Sequence, residues 1–283
     1  MKILVTGASG QLGYDVVKHL KTLNHEVVGT SSAELDITNA KQVENYIKNI
    51  QPEVVIHCAA YTAVDNAEDE PKKCFEVNVV GTKNIATAAQ KVNAKLVYIS
   101  SDYVFNGEGE EFYETSHQPQ PLSVYGKTKF LGEQEALNGC NKTFVVRISW
   151  VFGINGKNFV KTMLSLSETR KELNVVADQI GSPTYTVDLA KLLGQMIETE
   201  NYGIYHATNE GICSWHQFAN AIFKEAGILD MKLNPVTTEE YPAKGVRPKN
   251  SRLSKNCLDK AGFSRLPTWQ DALKRYLQEL KGN

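Results

Sequence analysis

The amino-acid sequence predicts an α/β fold, in which a doubly wound parallel sheet is followed by a smaller α+β unit on the C-terminal side. In the first half of the chain, short β-branched runs alternate with longer amphipathic stretches. This pattern is typical of crossover units that cover both faces of a parallel sheet. After about residue 152 the chain changes to helical segments joined by short strands and by loops marked with Pro or Gly. We therefore expect one domain over residues 1–152 and a second, interleaved with it, over residues 153–283.

The individual elements follow from the period of the apolar residues. Strands of the sheet are expected at residues 2–6, 25–30, 53–57, 95–100 and 143–148, and the helices between them at 11–23, 39–49, 71–92 and 124–137. Further helices are expected at 158–169, 187–198, 215–226 and 268–281. Ser214 lies just before one of these helices and Gln217 follows three residues later, a spacing that predicts an N-terminal cap.

The composition excludes several classes of protein. Hydrophobic residues make up 42% of the 283 positions, and 31 Lys plus Arg nearly balance 32 Asp plus Glu. No run of basic residues indicates nucleic-acid binding, and no segment approaches the roughly 18 to 20 apolar residues of a membrane span. Met1 leads directly into a predicted strand, so we expect no leader segment and a cytoplasmic protein.

The cysteines and histidines show no metal-binding spacing. The five cysteines are widely separated, without a CxxC pair, and they are Cys58, Cys74, Cys140, Cys213 and Cys257. The six histidines form neither HxxxH nor HxxH. We therefore expect buried, reduced thiols and no catalytic metal.

A glycine-rich loop joins the first predicted strand to the first predicted helix. Gly7 permits a tight turn, Gly10 lets backbone N–H groups approach a diphosphate, and Gly13 lets the helix pack close to the sheet. The helix N-terminus then directs its partial positive charge toward the diphosphate. This context predicts a Rossmann-type dinucleotide site, with the spacing GxxGxxG.

The end of the second strand indicates which dinucleotide is bound. In NAD-preferring sites an acid there binds the ribose 2′-hydroxyl, whereas this chain has Gly-Thr-Ser-Ser at 29–32. Asp36 comes too late to be that acid, and Asp36 with Ile37 is expected to border the adenine. Because no carboxylate would repel a 2′-phosphate, we expect NADP(H), with NAD(H) accepted more weakly.

The catalytic prediction rests on Tyr125 and Lys129, which share one face of a helix because they are four residues apart. We expect the Lys129 ammonium to lower the pKa of the Tyr125 phenol, and both side chains to contact the cofactor. Ser101, at the end of the fourth strand, would hydrogen-bond the substrate oxygen. Many helices carry Tyr and Lys at this spacing as a surface stripe, but the glycine loop and the strand-end serine favour the catalytic interpretation.

Longer strings carry a resemblance to a known family. They are AAYTAVD (59–65), NVVGT (78–82), SDYVFNG (101–107), RISWVFG (147–153), DQIGSPT (178–184) and GVRP (245–248). Together with the glycine loop and the Tyr–Lys pair, they resemble the extended short-chain dehydrogenase/reductases that act on nucleotide sugars. Within that family the chain is most similar to reductases of dTDP-linked 4-keto sugars, and the resemblance covers nearly all of it.

The resemblance implies a homodimeric enzyme that reduces a dTDP-linked 4-keto sugar with NADPH, its smaller domain binding the substrate. Gly10, Gln11 and Leu12 would lie against the diphosphate, Asp36 and Ile37 against adenine, and Ala59, Ala60 and Thr62 along the inner half of the cofactor. The sugar would be contacted by Ser101, Asp102, Tyr103 and Trp150. The family often has Thr at the position of Ser101. Some related dimers hold Mg²⁺ at the interface, but no acidic cluster in this sequence supports one.

Some residues have a second interpretation. Trp150 follows an apolar strand and is also compatible with a core position. Arg147 fits a structural salt bridge at least as well as a diphosphate contact. Arg247 and Arg252 lie in a segment rich in Pro and Ser, where solvated charge is the default, so they are not counted in the site.

The sequence is compatible with three classes of function: a reductase, an epimerase or dehydratase on the same scaffold, and a non-catalytic regulatory subunit. Besides the reductase, the scaffold also serves nucleotide-sugar epimerases and dehydratases, but a dehydratase would have Glu where Tyr103 follows Asp102. A regulatory subunit that keeps the reductase fold is the non-catalytic alternative. Such a subunit would not need Ser101, Tyr125 and Lys129 together.

Overall fold

The computed structural model describes residues 1–241 and 243–282. Its strands, in chain order, are β1 (Lys2–Thr6), β2 (Glu26–Thr30), β3 (Val54–His57), β4 (Lys95–Ser101), β5 (Thr143–Ile148), β6 (Val151–Phe152), β7 (Glu172–Val176), β8 (Ile180–Gly181), β9 (Thr184–Tyr185), β10 (Gly203–His206), β11 (Cys213–Ser214), β12 (Lys232–Val236) and β13 (Asn250–Ser251). The α-helices are α1 (Gln11–Thr22), α2 (Ala40–Ile50), α3 (Val64–Asp69), α4 (Pro71–Phe75), α5 (Thr82–Lys91), α6 (Val124–Gly139), α7 (Phe159–Thr169), α8 (Thr186–Ile197), α9 (Trp215–Ala226), α10 (Asn256–Lys260) and α11 (Trp269–Gly282).

A six-stranded parallel sheet lies at the centre, in the order β10-β5-β4-β3-β1-β2. The five strands predicted from the sequence are confirmed, with ends that differ by no more than one residue. The chain places β2 on one side of β1 and β3 on the other. This reversal opens a crevice at the carboxyl ends of β1 and β3, where open α/β sheets bind their ligands.

Both faces of the sheet are covered, which confirms the doubly wound α/β fold. Alternate strand residues point to opposite faces, so Ile3 and Val5 join one core with α1 and α8, whereas Leu4 joins another with α2, α5 and α6. A third core lies in the C-terminal half and is built from α7, α9, α11 and β7.

The C-terminal half also contributes to the central sheet. The edge strand β10 pairs with β5, and α8 packs against α1. Tyr205 and Leu189 are therefore part of the first core. A division of the chain at residue 152, with the second unit interleaved, stays a prediction.

The single helix expected over 71–92 is wrong, because the structure divides it into α4, a π-helical turn (Glu76–Gly81) and α5. The π-turn directs Asn78 toward the loop that follows β3. There the Asn78 side chain accepts from the Tyr61 N–H (2.8 Å) and donates to the Tyr61 carbonyl (3.1 Å). Such turns commonly occur at functional sites. The short helix α3 was also not expected.

Two local predictions can be compared directly. Ser214 and Gln217 form the expected capping box, with reciprocal hydrogen bonds of 3.0 and 2.8 Å. All five thiols are free as expected. The prediction that they are buried is wrong for Cys58 and Cys257, which are only half-buried. Among the described residues, no helix combines the length and apolarity that crossing a bilayer requires.

Candidate active site

A cavity of about 720 Å³ opens at the carboxyl ends of β1, β3 and β4. Every residue that the sequence analysis assigned to the site lines it: Gly7, Gly10, Gln11, Leu12, Gly13, Asp36, Ile37, Ala59, Ala60, Thr62, Ser101, Asp102, Tyr103, Tyr125, Lys129 and Trp150. The structure therefore brings these residues together, although their roles stay predictions.

The glycine loop forms a cradle without side chains. Gly7 has φ +68°, and a Cβ atom there would lie 2.7 Å from the Ala59 nitrogen. A Cβ atom on Gly13 would overlap the Gly7 carbonyl. No described side chain caps α1, so the N–H groups of its first turn are available to an anion. This cradle fits the diphosphate of a dinucleotide.

The turn after β2 differs from the expectation in one respect. The carboxylate of Glu34 folds back and accepts from the Ser31 N–H (2.8 Å) and hydroxyl (2.9 Å). These hydrogen bonds lower the pKa of Glu34. The expectation of an acid-free turn is therefore wrong, because a three-residue turn brings a later acid onto Ser31. Glu34 is not among the residues that line the cavity.

Asp36 shapes the next part of the cavity wall. Its Oδ1 atom accepts from the N–H (3.0 Å) and hydroxyl (2.7 Å) of Thr38. The adjacent Ile37 is buried and packs against Gly81, where a Cβ atom would come within 2.7 Å of the Ile37 side chain. The π-helical turn thus supports the wall that is expected to border adenine.

Tyr125 and Lys129 meet the cavity from α6, but their electrostatics differ from the prediction. Burial raises the pKa of Tyr125, and the nearby Ser101 side chain only partly opposes this rise. The Lys129 Nζ atom donates to the Ile99 carbonyl (2.6 Å) and lies 4.2 Å from the centre of the Tyr98 ring. Burial lowers the pKa of Lys129 to about 7. The expected lowering of the Tyr125 pKa by Lys129 is therefore wrong in this structure, because desolvation dominates.

Asp102 is held inside the protein beside Ser101. Its Oδ1 accepts from the Ser101 hydroxyl (2.9 Å) and its Oδ2 from the Ser251 hydroxyl (2.5 Å). Burial raises the pKa of Asp102 to about 6. A serine hydroxyl has one proton, so Ser101 donates either to Asp102 or to another acceptor in the cavity.

Arg147 forms a buried ion pair beneath the site. Its guanidinium donates to both carboxylate oxygens of Glu133 (2.8 and 2.7 Å), and each side chain is at most 2% exposed. Ser100 donates to the same carboxylate (2.5 Å). Of the two interpretations of Arg147, the structure supports the salt bridge.

Trp150 lies against a second tryptophan at the cavity wall. Its ring stacks on Trp215 with 3.7 Å between centroids and 13° between planes. Its backbone has φ +50°, a conformation that a bulky residue adopts only when its surroundings hold it. The Ser149 hydroxyl donates to the Ser182 carbonyl (2.7 Å), and the Thr184 N–H donates to the Trp150 carbonyl (3.1 Å). These bonds fix the ring as a half-buried, flat face of the cavity.

Comparison with known proteins agrees with this geometry. The model of the RmlD substrate binding domain family matches residues 1–281. The chain belongs to this family. It is 43% identical to the spore coat polysaccharide biosynthesis protein SpsK of Bacillus subtilis, covering 98% of this chain and 97% of that protein. It is also 43% identical to a dTDP-4-dehydrorhamnose reductase of Aggregatibacter actinomycetemcomitans, covering 96% and 97%.

A solved structure of the same kind is also similar. The dTDP-4-dehydrorhamnose reductase of Bacillus anthracis, in complex with NADP, superposes with a TM-score of 0.96 at 45% identity, covering 99% of this chain and 100% of that one. Membership of the RmlD substrate binding domain family thus comes with a shared fold over the full length.

Several residues of this family member were not found from the sequence. Trp215 and Lys157 line the cavity, but neither stands near the glycine loop or the Tyr–Lys pair in the chain. Arg247 is not solvated as expected, because it is half-buried and paired with Asp65 (2.8 Å). Arg252 is half-buried and donates to the Asn250 side chain (3.0 Å).

The lowered pKa of Lys129 predicts a pH dependence of folding. The pKa of Lys129 is about 7 in the folded chain, whereas in the unfolded chain it has the ordinary lysine value of 10.5. Between these values the unfolded state binds more protons, so this group makes stability rise with pH. The free energy of unfolding of wild type minus that of Lys129→Met should rise by up to about 1.4 kcal/mol per pH unit. Urea denaturation of the cofactor-free protein from pH 6 to 9 measures it.

Lys127→Met is the matched control for this prediction. Lys127 is exposed on the same helix, two residues earlier. Its variant should show a stability difference from wild type that does not change with pH. A constant difference for Lys129→Met as well would mean that the Lys129 ammonium stays charged throughout.

Proposed function

We propose that the chain reduces the 4-keto group of dTDP-4-dehydro-L-rhamnose with NADPH and so forms dTDP-L-rhamnose, a precursor of cell-surface polysaccharide. The observation that carries this proposal is the cavity in which Ser101, Tyr125 and Lys129 lie beside the glycine cradle. The reductases of this family and their NADP complex agree with it. The protein is therefore an oxidoreductase of the nucleotide-sugar type.

The proposed chemistry needs one proton donor and one hydrogen-bond donor from the chain. NADPH, when bound, supplies the hydride to the keto carbon. Tyr125 then gives the proton to the new alkoxide, and its raised pKa keeps the phenol protonated at neutral pH. Ser101 turns its hydroxyl from Asp102 to the substrate oxygen and stabilises the charge that develops there. Lys129 is proposed to hold the nicotinamide ribose.

The sugar nucleotide is proposed to lie between Ser101 and the Trp150–Trp215 pair. Trp150 and Tyr103 supply flat apolar surface to the sugar, and Asp102 accepts the Ser101 hydrogen bond until the sugar binds. Gln11, Leu12, Ala59, Ala60 and Thr62 are proposed to contact the cofactor, with Asp36 and Ile37 at its adenine.

For the cofactor, we propose a preference for NADPH with weaker use of NADH. The residues that line the cavity at the end of β2 are Thr30, Ser31 and Ser32, and none of them repels a 2′-phosphate. The described residues that line the cavity include no Arg to pair with the 2′-phosphate, so the preference is expected to be modest. Fluorescence titration with both cofactors measures it. A clear preference for NADH would overturn the argument from this turn.

A spectrophotometric assay tests the proposed function. With dTDP-4-dehydro-L-rhamnose, a reductase consumes NADPH in stoichiometric amounts, because each product molecule takes up one hydride. An epimerase would interconvert UDP- or dTDP-hexoses without net change in cofactor, and a regulatory subunit would do neither. An unchanged NADPH absorbance with the keto sugar would reject the reductase proposal.

The assembly and location of the protein are part of the same proposal. We propose a cytoplasmic homodimer that uses no nucleic acid or membrane as partner, with a cofactor unit over residues 1–152 and a substrate unit after it. Size-exclusion chromatography with light scattering measures the oligomeric state. Mg²⁺ at a subunit interface is not included.

A further inference from the structure

The loop of residues 154–158, here called the strap, lies across the glycine cradle. The Asn155 side chain donates to the Ser9 carbonyl (2.7 Å), and the Asn158 side chain donates to Gln11 Oε1 (3.1 Å). Gly156 has φ +76°, and its Cα faces the Gln11 side chain, where a Cβ atom would come within 3.3 Å. The strap is therefore fastened to the loop that is proposed to bind the cofactor diphosphate.

The strap is also hydrogen-bonded to α7 and α11. The Lys161 Nζ atom donates to the carbonyls of Ile154 (2.5 Å) and Gly156 (3.1 Å). The Asn158 side chain caps α7 by accepting from the Lys161 N–H (3.0 Å), and it donates to the Tyr276 hydroxyl (3.0 Å). These bonds give the strap a defined position, so the backbone from which its side chains project is fixed.

The side chain that the strap presents is Lys157. Lys157 lines the cavity and is exposed, and within residues 1–241 and 243–282 it has neither a hydrogen bond nor an ion pair. The other cation among the described lining residues is Lys129, whose ammonium is bound to the Ile99 carbonyl. The lining also contains two acids, Asp36 and Asp102. Among the described residues that line the cavity, Lys157 is therefore the cation available to a dinucleotide phosphate.

We propose that Lys157 pairs with a phosphate of the bound dinucleotide, and specifically with the diphosphate, because the strap is fastened at Ser9 and Gln11. This inference rests on the proposed function for the presence of the cofactor. Charge-assisted hydrogen bonds from an ammonium to a phosphate are stronger than neutral ones. Lys157 adds a full positive charge to the partial positive charge of the backbone N–H groups of α1.

The test measures binding rather than turnover. Fluorescence titration at low ionic strength gives Kd for NADPH and for NADH in wild type, Lys157→Gln and Lys157→Arg. We expect Lys157→Gln to weaken both cofactors about tenfold, and Lys157→Arg to restore most of the affinity because it keeps the charge. Raising the salt concentration should reduce the difference between wild type and Lys157→Gln.

Lys224→Gln is the matched control, since Lys224 is exposed on α9 and does not line the cavity. Its Kd values should equal those of wild type. If Lys157→Gln weakened the binding of NADPH but not of NADH, Lys157 would pair with the 2′-phosphate, and the assignment to the diphosphate would be wrong. Unchanged Kd values for both cofactors in Lys157→Gln would overturn the proposal. A wild-type protein that binds neither cofactor would instead reject the proposed function itself.

Discussion

Replacing Tyr125 with Phe is expected to lower kcat by roughly 10²- to 10⁴-fold, the range typical of losing a general acid. The substitution removes only the hydroxyl oxygen of Tyr125, a residue that lines the cavity together with Ser101. The aromatic ring and its edge-on contact with Tyr103, at 5.3 Å between centroids, remain. Steady-state assays with the keto sugar measure kcat, and fluorescence titration should show little change in the Kd of NADPH.

Tyr103→Phe is the matched control for the proton donor. It removes the same atom from the neighbouring ring in the same cavity. We expect it to raise KM for the sugar and to lower kcat less than tenfold, roughly below the weak end of the range for a general acid. If Tyr125→Phe keeps more than about a tenth of wild-type kcat, another group donates the proton.

The second large effect is expected from the buried pair of Glu133 and Arg147. Glu133→Gln leaves the guanidinium of Arg147 buried without its counter-charge, which should lower the free energy of unfolding by about 3 to 5 kcal/mol. Arg147→Met should lower the free energy of unfolding by a similar amount, since it leaves the Glu133 carboxylate buried without its counter-charge. The double variant Glu133→Gln with Arg147→Met should recover most of the loss, because it leaves neither charge of the pair buried alone. Urea denaturation of the four proteins gives the coupling energy.

An exposed pair provides the control for this cycle. Lys171 and Asp230 are 2.6 Å apart, but their side chains are 76% and 67% exposed. Asp230→Asn should therefore cost less than about 1 kcal/mol. If Glu133→Gln were equally mild, water would reach the Arg147 site and the pair would not be dry. The Glu133 carboxylate also raises the pKa of Lys129. Its loss should therefore lower that pKa further and widen the pH range over which Lys129 changes the free energy of unfolding.

The parts of the site that the sequence predicts are those in which neighbours along the chain are also neighbours in space. Gly7, Gly10 and Gly13 belong to one strand–loop–helix unit, and Tyr125 and Lys129 are one helical turn apart. The hydrophobic period of the strands is equally local, which is why five of the six sheet strands were predicted with ends correct to one residue. Six short sequence strings elsewhere in the chain resemble those of a known family and so indicated the family.

Other features depended on residues far apart in the chain. The sixth strand, β10, joins the sheet from the C-terminal half, and Trp150 stacks on a residue 65 positions later. The helix expected over 71–92 contains a π-turn because Asn78 binds the loop at Tyr61. Periodicity does not record such contacts, so the sequence could not indicate them.

By itself, then, the sequence determined the α/β class, the glycine cradle, the catalytic pair as a candidate and the family. The tertiary structure decided the electrostatics. It turned the Lys129 ammonium to the Ile99 carbonyl, buried the Tyr125 phenol and left Lys157 as the free cation among the described lining residues. The physical reason is that a pKa depends on how much water a fold removes around each group, and burial is a property of the whole packed chain.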